Sequence, residues 1–276
     1  MKLPRLKTVL LTPLILFAVF YVAVSIYVLL DDNSVEPLGE SPAQPFSIAI
    51  FGASGTAGDG ILKAALASPD VESIKVITRR TTPRMEEGVA AGKVHLTTHT
   101  DYLDYSAIED LFVDVDAVYW AIGISTFKVD EETYGKIHVD FPTQFVAAWQ
   151  GVNEKSDASF HYISSSDISE DSTAVWAREK VRAENSLFKF AEGSNMRVIA
   201  YRPDYIGPTE EEAQLGQELM YGFFAPVRAA VRAKQIGQAM IEVTVRGDEF
   251  DNGRKLGTGT IIRYSDTYLE RNKGLQ

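Results

Sequence analysis

The stretch "FSIAIFGASGTAGDGILKAALAS", starting at Phe46, narrows the choice of folds more than any other part of this chain. Its first six residues are apolar enough for a buried strand. Gly52, Gly55 and Gly58 follow three apart, and a helical pattern then begins. Strand, tight turn and helix in that order open a βαβ unit. The alternation continues downstream. Strand-like runs at 73–80, 93–98, 116–123, 159–166 and 196–203 are separated by helical stretches that include 106–112, 131–150 and 173–192. Apolar strands alternating with helices build a parallel sheet covered on both faces, and ligands of such sheets bind outside the carboxyl ends of the strands.

The bulk numbers fit one such domain. The chain has 276 residues, 45% of them hydrophobic, which suits a single α/β domain of roughly 200–250 residues with a large core. It contains no cysteine, so disulfides, zinc–thiolate sites and thiol nucleophiles are excluded and the redox compartment is left open. His95, His99 and His138 have no metal-ligand spacing with one another. No nucleophile–base pairing marks a hydrolase. A net charge of −11 argues against nucleic acid as a partner.

Residues 8–30, "TVLLTPLILFAVFYVAVSIYVLL", carry no charge. At about 1.5 Å per residue a helix of that length crosses a hydrocarbon layer of ~30 Å with some tilt. The run is longer than the apolar region of a cleaved signal peptide, the alternative reading, although Ala23-Val24-Ser25 resembles a cleavage site. Residues 1–30 are therefore expected to be an uncleaved single-pass anchor. Lys2, Arg5 and Lys7 precede it, and Asp31, Asp32, Glu36 and Glu40 follow. The positive-inside rule keeps the N-terminus cytoplasmic and sends the globular part across. Residues 31–45 are acidic, hold three prolines and read as an extended linker to a domain at 46–276.

The glycine triplet gives that domain a candidate ligand. Gly52 permits a sharp turn, Gly55 lets the backbone approach a pyrophosphate, and Gly58 lets the helix pack close to the strand. Ser54 and Thr56 line the same turn, and phosphates would meet the free N–H groups of the helix. At the end of the second strand stand Arg79 and Arg80, where NAD binders carry an acid. Arginine there suits the 2′-phosphate of NADP, so NADP is expected over NAD, although two basic residues in a solvated loop read the same way. Asp101 follows the third strand and reads either as an acceptor for the adenine amino group or as a helix cap.

Taken in order, "IAIFGASGTAG", "ITRR", "HTDYLDYSAIEDLF", "AIG", "ISSS", Lys180 and "YRPDYIGP" resemble the short-chain dehydrogenase/reductase superfamily, in its atypical NmrA-like branch of NAD(P)-binding proteins. The resemblance covers about residues 46–246. It implies a Rossmann-like doubly wound parallel sheet, so that the whole chain reads as an N-terminal transmembrane helix, this sheet and a small C-terminal extension. It also implies roles. Gly52, Gly55 and Gly58 match the dinucleotide loop, Arg79 or Arg80 the NADP-selecting site, and Asp101 the adenine contact. Ala121, Ile122 and Gly123 match the segment flanking the nicotinamide ribose, and Pro203 and Ile206 the loop beside the nicotinamide. Ser164 or Ser165 matches the catalytic serine. Lys180 matches the lysine that holds the ribose and lowers the pKa of a tyrosine four residues earlier.

That tyrosine is absent, because Trp176 stands in its place. A phenol tuned by a nearby cation exchanges a proton with a developing alkoxide, whereas an indole N–H only donates a hydrogen bond. Tyr162 and Tyr201 lack the spacing to substitute. Without a tyrosine to tune, Lys180 is left as a ribose ligand or as a surface residue paired with Glu184. His161 reads as a packed core residue rather than a base, and Asp167 as a cap rather than an acid.

Residues 204–276 are expected to cover the cleft. The stretch 214–235 places Leu215, Leu219, Phe223, Val227 and Val231 at helical spacing. It reads as a helix closing a substrate cleft, with a membrane-surface or protein-partner helix as the alternative. Residues 236–246 read as a further helix and 257–266 as a final strand. Two functional readings remain: an NADP-dependent oxidoreductase on a small or lipid-like carbonyl substrate, and a non-catalytic dinucleotide-binding or scaffold protein.

Overall fold

Ile48 and Ile50 enter one core layer while Ala49 and Phe51 enter the other, because successive side chains of a strand point to opposite faces. In the computed structural model, which describes residues 6–31, 35, 38 and 44–273, this strand is β1 (Phe46–Phe51) and it lies in the interior of the sheet, between β2 and β4. The other strands of that sheet are β2 (Val71–Thr78), β3 (Val94–Thr98), β4 (Ala117–Trp120), β5 (Ala158–Ile163), β6 (Met196–Arg202) and β9 (Arg254–Gly257). They run in the order β3-β2-β1-β4-β5-β6-β9, and every pairing is parallel. A parallel sheet needs both faces covered. Helices α2 (Thr56–Ala67), α8 (Ala233–Val245) and α9 (Thr258–Arg271) cover one side. Helices α5 (Phe141–Val152) and α6 (Val175–Ala191) cover the other. The short α3 (Pro83–Ala90) follows β2.

The second layer is built on aromatic packing. Phe51 lies 4.6 Å from Trp120 and 4.5 Å from Phe145, ring centre to ring centre. Aromatic pairs at this spacing each contribute about 0.5–1.5 kcal/mol beyond the area they bury. The expected long helix at 131–150 is two helices, α4 (Glu131–Gly135) and α5, joined by a π-helical turn at Lys136–Asp140.

The C-terminal part departs from the expectations in two places. The helix expected over 214–235 is α7 (Leu215–Phe224), which ends before Pro226. Proline cannot continue a helix interior, and Arg228 then takes a left-handed backbone at φ 55°. Val231 belongs not to that helix but to β8 (Ala230–Arg232), which pairs with β7 (Tyr205–Gly207) in a separate two-stranded sheet. The strand expected at 257–266 is instead the start of α9. Thr258, Ile261, Ser265 and Tyr268 are its buried residues, and a spacing of three to four is that of a helix face.

The N-terminal apolar run forms α1 (Leu6–Leu30). Over Leu11–Leu30 its mean hydropathy is 2.5 and none of it is buried. The linker expected at 31–45 falls largely outside the described residues, as do Lys2 and Arg5.

One buried ion network ties α8 and α9 to the start of the sheet. Glu242, fully buried, accepts from Arg246 at 2.8 Å and from Arg271 at 2.9 Å. Arg271 also forms a two-pronged pair with Asp70. Removing one member strands buried charge, at a cost of about 3–5 kcal/mol. Glu242→Ala is therefore expected to lower the unfolding free energy by that amount in urea titration.

Candidate functional site at the carboxyl end of the sheet

The turn after β1 is shaped by contacts that exclude side chains. Gly52 has φ +79°, and a Cβ there would lie 2.5 Å from the Ala121 carbonyl carbon. A Cβ on Gly58 would lie 2.1 Å from the Gly52 oxygen. Both glycines are thus required by the chain itself. Gly55 is different. It is exposed, its φ is −98°, and the nearest atom to an added Cβ is the Gly52 oxygen at an ordinary 3.5 Å. Nothing among the described residues demands glycine at this position. Gly55 is also the N-cap of α2 and supplies no side-chain cap, so the first N–H groups of that helix face outward beside an open backbone. That arrangement fits a pyrophosphate.

The cleft beside this turn has a volume of about 470 Å³ and is lined by Ser54, Gly55, Thr56, Asp59, Arg84 and Glu212 among others. Arg84 bonds Asp59 at 2.9 Å and Glu212 at 2.5 Å. Burial raises the Asp59 pKa, against the pull of Arg84. This Arg84-centred cluster was not anticipated, because Glu212 lies more than 120 residues away in sequence.

Arg79 and Arg80 are both exposed at the end of β2. The Arg80 guanidinium reaches the Ser54 carbonyl at 3.4 Å and so stands over the glycine turn. Arg79 lies close enough to Tyr102 for its charge to oppose the upward push that burial gives that phenol. Asp101 is exposed and accepts from the Leu103 N–H at 3.1 Å, closing a local turn. Its carboxylate therefore already has a capping partner.

On the other side of the strand ends, Ser164, Lys180 and Pro203 converge. The Ser164 N–H donates to the Tyr201 carbonyl at 2.7 Å, and the Ser166 N–H to the Pro203 carbonyl at 3.1 Å. Lys180 donates to the Ile163 carbonyl at 2.7 Å, one residue before Ser164. The Ser164 hydroxyl is buried and has no hydrogen-bond partner among the described residues. Ser165 is half-buried beside it, and Ile206 is half-buried in β7. Ala121 follows β4 directly and donates its N–H to the Phe51 carbonyl. The exposed Gly123 lies against His138, whose Nε2 stands 3.2 Å from the Ile124 amide.

Lys180 is not a surface residue. It is buried, and Glu184 pairs with Arg202 instead. The Lys180 ammonium is 3.4 Å from the Tyr162 hydroxyl. Burial lowers its pKa to about 7, against the raising pull of Glu184. A phenol therefore stands beside the lysine, although it comes from β5 and not from the position four residues before Lys180. Strand parity could have found it, since Tyr162 shares the face of β5 that α6 covers. This phenol is fully buried, donates to the His138 carbonyl at 3.1 Å, and is pushed well above its ordinary pKa by burial. The π-helical turn containing His138 presents that carbonyl. His138 itself is lowered to about 2 by burial and by the Lys180 charge, so it is neutral.

Trp176 is half-buried in the first turn of α6, one turn before Lys180. His161 is a core residue, bonded to Tyr201 and Ser159. Asp167 is exposed with a left-handed φ of 57°. Among the described residues no three histidine or carboxylate side chains gather as metal ligands.

By sequence, no family model and no curated protein matches this chain. By structure, similar solved proteins are dehydrogenases, reductases and epimerases of the short-chain type. BdcA in complex with NADPH matches with a TM-score of 0.61 at 13% identity, over 79% of this chain and 96% of that one. A 3-oxoacyl-(acyl-carrier protein) reductase from Brucella melitensis matches at 0.60 and 17%, over 80% and 98%. A UDP-N-acetylglucosamine 4-epimerase from Methanobrevibacter ruminantium, in complex with UDP-N-acetylmuramic acid, matches at 0.56 and 17%, over 78% and 76%. This chain has their fold.

The buried lysine makes stability depend on pH. Between about 7 and the unfolded value near 10.4 the unfolded chain holds a proton that the folded one has released. Stability contributed through Lys180 therefore rises with pH across that window, and below it the burial cost is present in full. Urea titrations of the native chain and Lys180→Met from pH 7 to 10 should show the native chain gaining on the variant as pH rises. Parallel curves would contradict the buried, proton-releasing lysine.

Proposed function

We propose that this chain is a membrane-anchored NADP(H)-binding protein of the short-chain dehydrogenase/reductase type that lacks the tyrosine acid of that superfamily. Gly55 carries the reading: it leaves backbone open at a helix N-terminus where the chain itself needs no glycine. The turn Gly52–Gly58, with Ser54 and Thr56, would hold the pyrophosphate. Arg79 and Arg80 would meet the 2′-phosphate and favour NADP over NAD, and Asp101 would face the adenine. Ala121, Gly123, Pro203 and Ile206 would flank the nicotinamide half, with Lys180 near its ribose. When bound, the nicotinamide ring supplies or accepts a hydride. The NmrA-like branch rests on the sequence motifs alone.

The proton is the missing part. Trp176 stands where a phenol would exchange it, and an indole does not titrate in the working range. Tyr162 is sealed behind Lys180 and already donates to His138. This favours a dinucleotide-binding protein over an enzyme of ordinary turnover. One observation favours the oxidoreductase reading: the buried Ser164 hydroxyl has no hydrogen-bond partner among the described residues and would be left to meet the oxygen of a small or lipid-like carbonyl substrate.

Helix α1 supports the anchor, with one exposed apolar run long enough to cross a bilayer. The charge pattern favours an N-terminus in the cytoplasm, with the domain on the opposite side.

A carbonyl-substrate panel with NADPH, run on the native full-length protein and on Trp176→Tyr, tests the reading. Activity should rise about 10²–10⁴-fold in the variant, the range of a restored proton transfer. Robust native turnover, lost with Ser164→Ala and indifferent to Trp176→Tyr, would establish the oxidoreductase reading instead.

A further inference from the structure

Exposed apolar surface on the globular domain gathers on α7. Leu215 is 78% exposed, Leu219 67%, and Met220 and Phe223 46% each. Residues 215, 219 and 223 form one stripe on a helix, and Met220 widens it. The opposite face binds α7 to the domain. Glu218 pairs with Arg232 at 2.7 Å, and the Arg232 guanidinium lies 3.6 Å above the Tyr221 ring. The helix thus has one docked polar face and one bare apolar face. Contiguous apolar surface of this kind marks a contact with a membrane or a partner.

The end of the stripe meets α1, which fixes its depth. Phe223 stacks on Tyr21 at 5.4 Å and on Phe17 at 6.4 Å between ring centres. The Tyr21 hydroxyl donates to the Phe223 carbonyl at 2.7 Å. Arg228, a few residues later, pairs with Asp31 and reaches the Val28 carbonyl at the last turn of α1. The ion pair therefore stands level with the domain-side end of α1. Phe223 stands level with Tyr21, about 15 Å farther along the axis. The 25 residues of α1 measure about 37 Å, roughly 7 Å more than a hydrocarbon layer. Even if all the excess projects on the domain side, Tyr21 and Phe223 lie inside the layer.

We infer that α7 is a second membrane element, lying in the domain-side leaflet of the bilayer that α1 crosses, with Leu215, Leu219, Met220 and Phe223 against acyl chains. This rests on the anchor reading above. It also bears on the substrate. The chain runs from the carboxyl end of β6 through β7 to α7, and ligands of parallel sheets bind at that end. The ligand-binding end is thereby held against lipid, so the substrate class with direct access is a lipid-soluble molecule dissolved in that leaflet.

The absence of cysteine allows a direct test. A polarity-sensitive fluorophore is attached to single cysteines in the full-length chain reconstituted into phosphatidylcholine vesicles. The positions are Leu219→Cys and Met220→Cys on α7, Leu14→Cys on α1, and Glu192→Cys, exposed beside the amino end of β6. Brominated acyl chains should quench the α7 and α1 probes severalfold, and aqueous iodide should quench only the probe at 192. Quenching of the α1 probe by bromolipid, with both α7 probes quenched by iodide like the one at 192, would overturn the α7 inference and leave the anchor standing. Iodide quenching of the α1 probe would overturn the anchor and the inference together.

Discussion

The contact between Gly58 and the Gly52 carbonyl sets the geometry on which the rest depends. It brings the first turn of α2 so close to the end of β1 that a single methyl group would sit 2.1 Å from an oxygen. The close approach places the helix N-terminus directly beyond the end of β1. It also presses the turn against Ala121 and Ile122 after β4, so the loops after β1 and β4 come together. β1 and β4 are adjacent, with helices crossing to opposite faces on either side of them. A crevice at that point is the ligand position that parallel α/β sheets share.

A second constraint is the buried lysine. Lys180 is held between the Ile163 carbonyl and the Tyr162 hydroxyl, which ties α6 to the end of β5 beside Ser164. Its low pKa follows from burial, and Glu184, the carboxylate that pulls it back up, is engaged by Arg202. The site thus keeps a cation near a free hydroxyl but keeps its phenol out of reach. On the proposed reading, Trp176 in place of the phenol would remove proton exchange and leave the dinucleotide cradle as it is.

Much of this was legible in the residues. Strands β1 to β6 announce themselves as apolar runs, and Gly52 and Gly58 mark the turn because no other residue tolerates their contacts. Lys180 reaches the Ile163 carbonyl, one residue before Ser164. What stayed hidden depended on tertiary context. Residues 257–266 looked strand-like because Thr258, Thr260, Ile261 and Ile262 are β-branched, yet packing on α8 made a helix of them. The three-residue strands β7 and β8 are too short for periodicity to register. The contact between Tyr162 and Lys180 joins a strand to a helix, which spacing along one helix does not reveal. The docking of α7 on α1 joins residues some 200 apart, which no local pattern reveals.

Calorimetric titration of the full-length protein with NADPH, beside Gly55→Ala, tests the dinucleotide cradle most directly. An added methyl at Gly55 meets only ordinary van der Waals contact within the chain, so the variant should melt at the native temperature. The account predicts saturable binding of NADPH to the native protein and its loss in Gly55→Ala with stability unchanged. Equal affinity in the two proteins, or no binding to the native one, would contradict it.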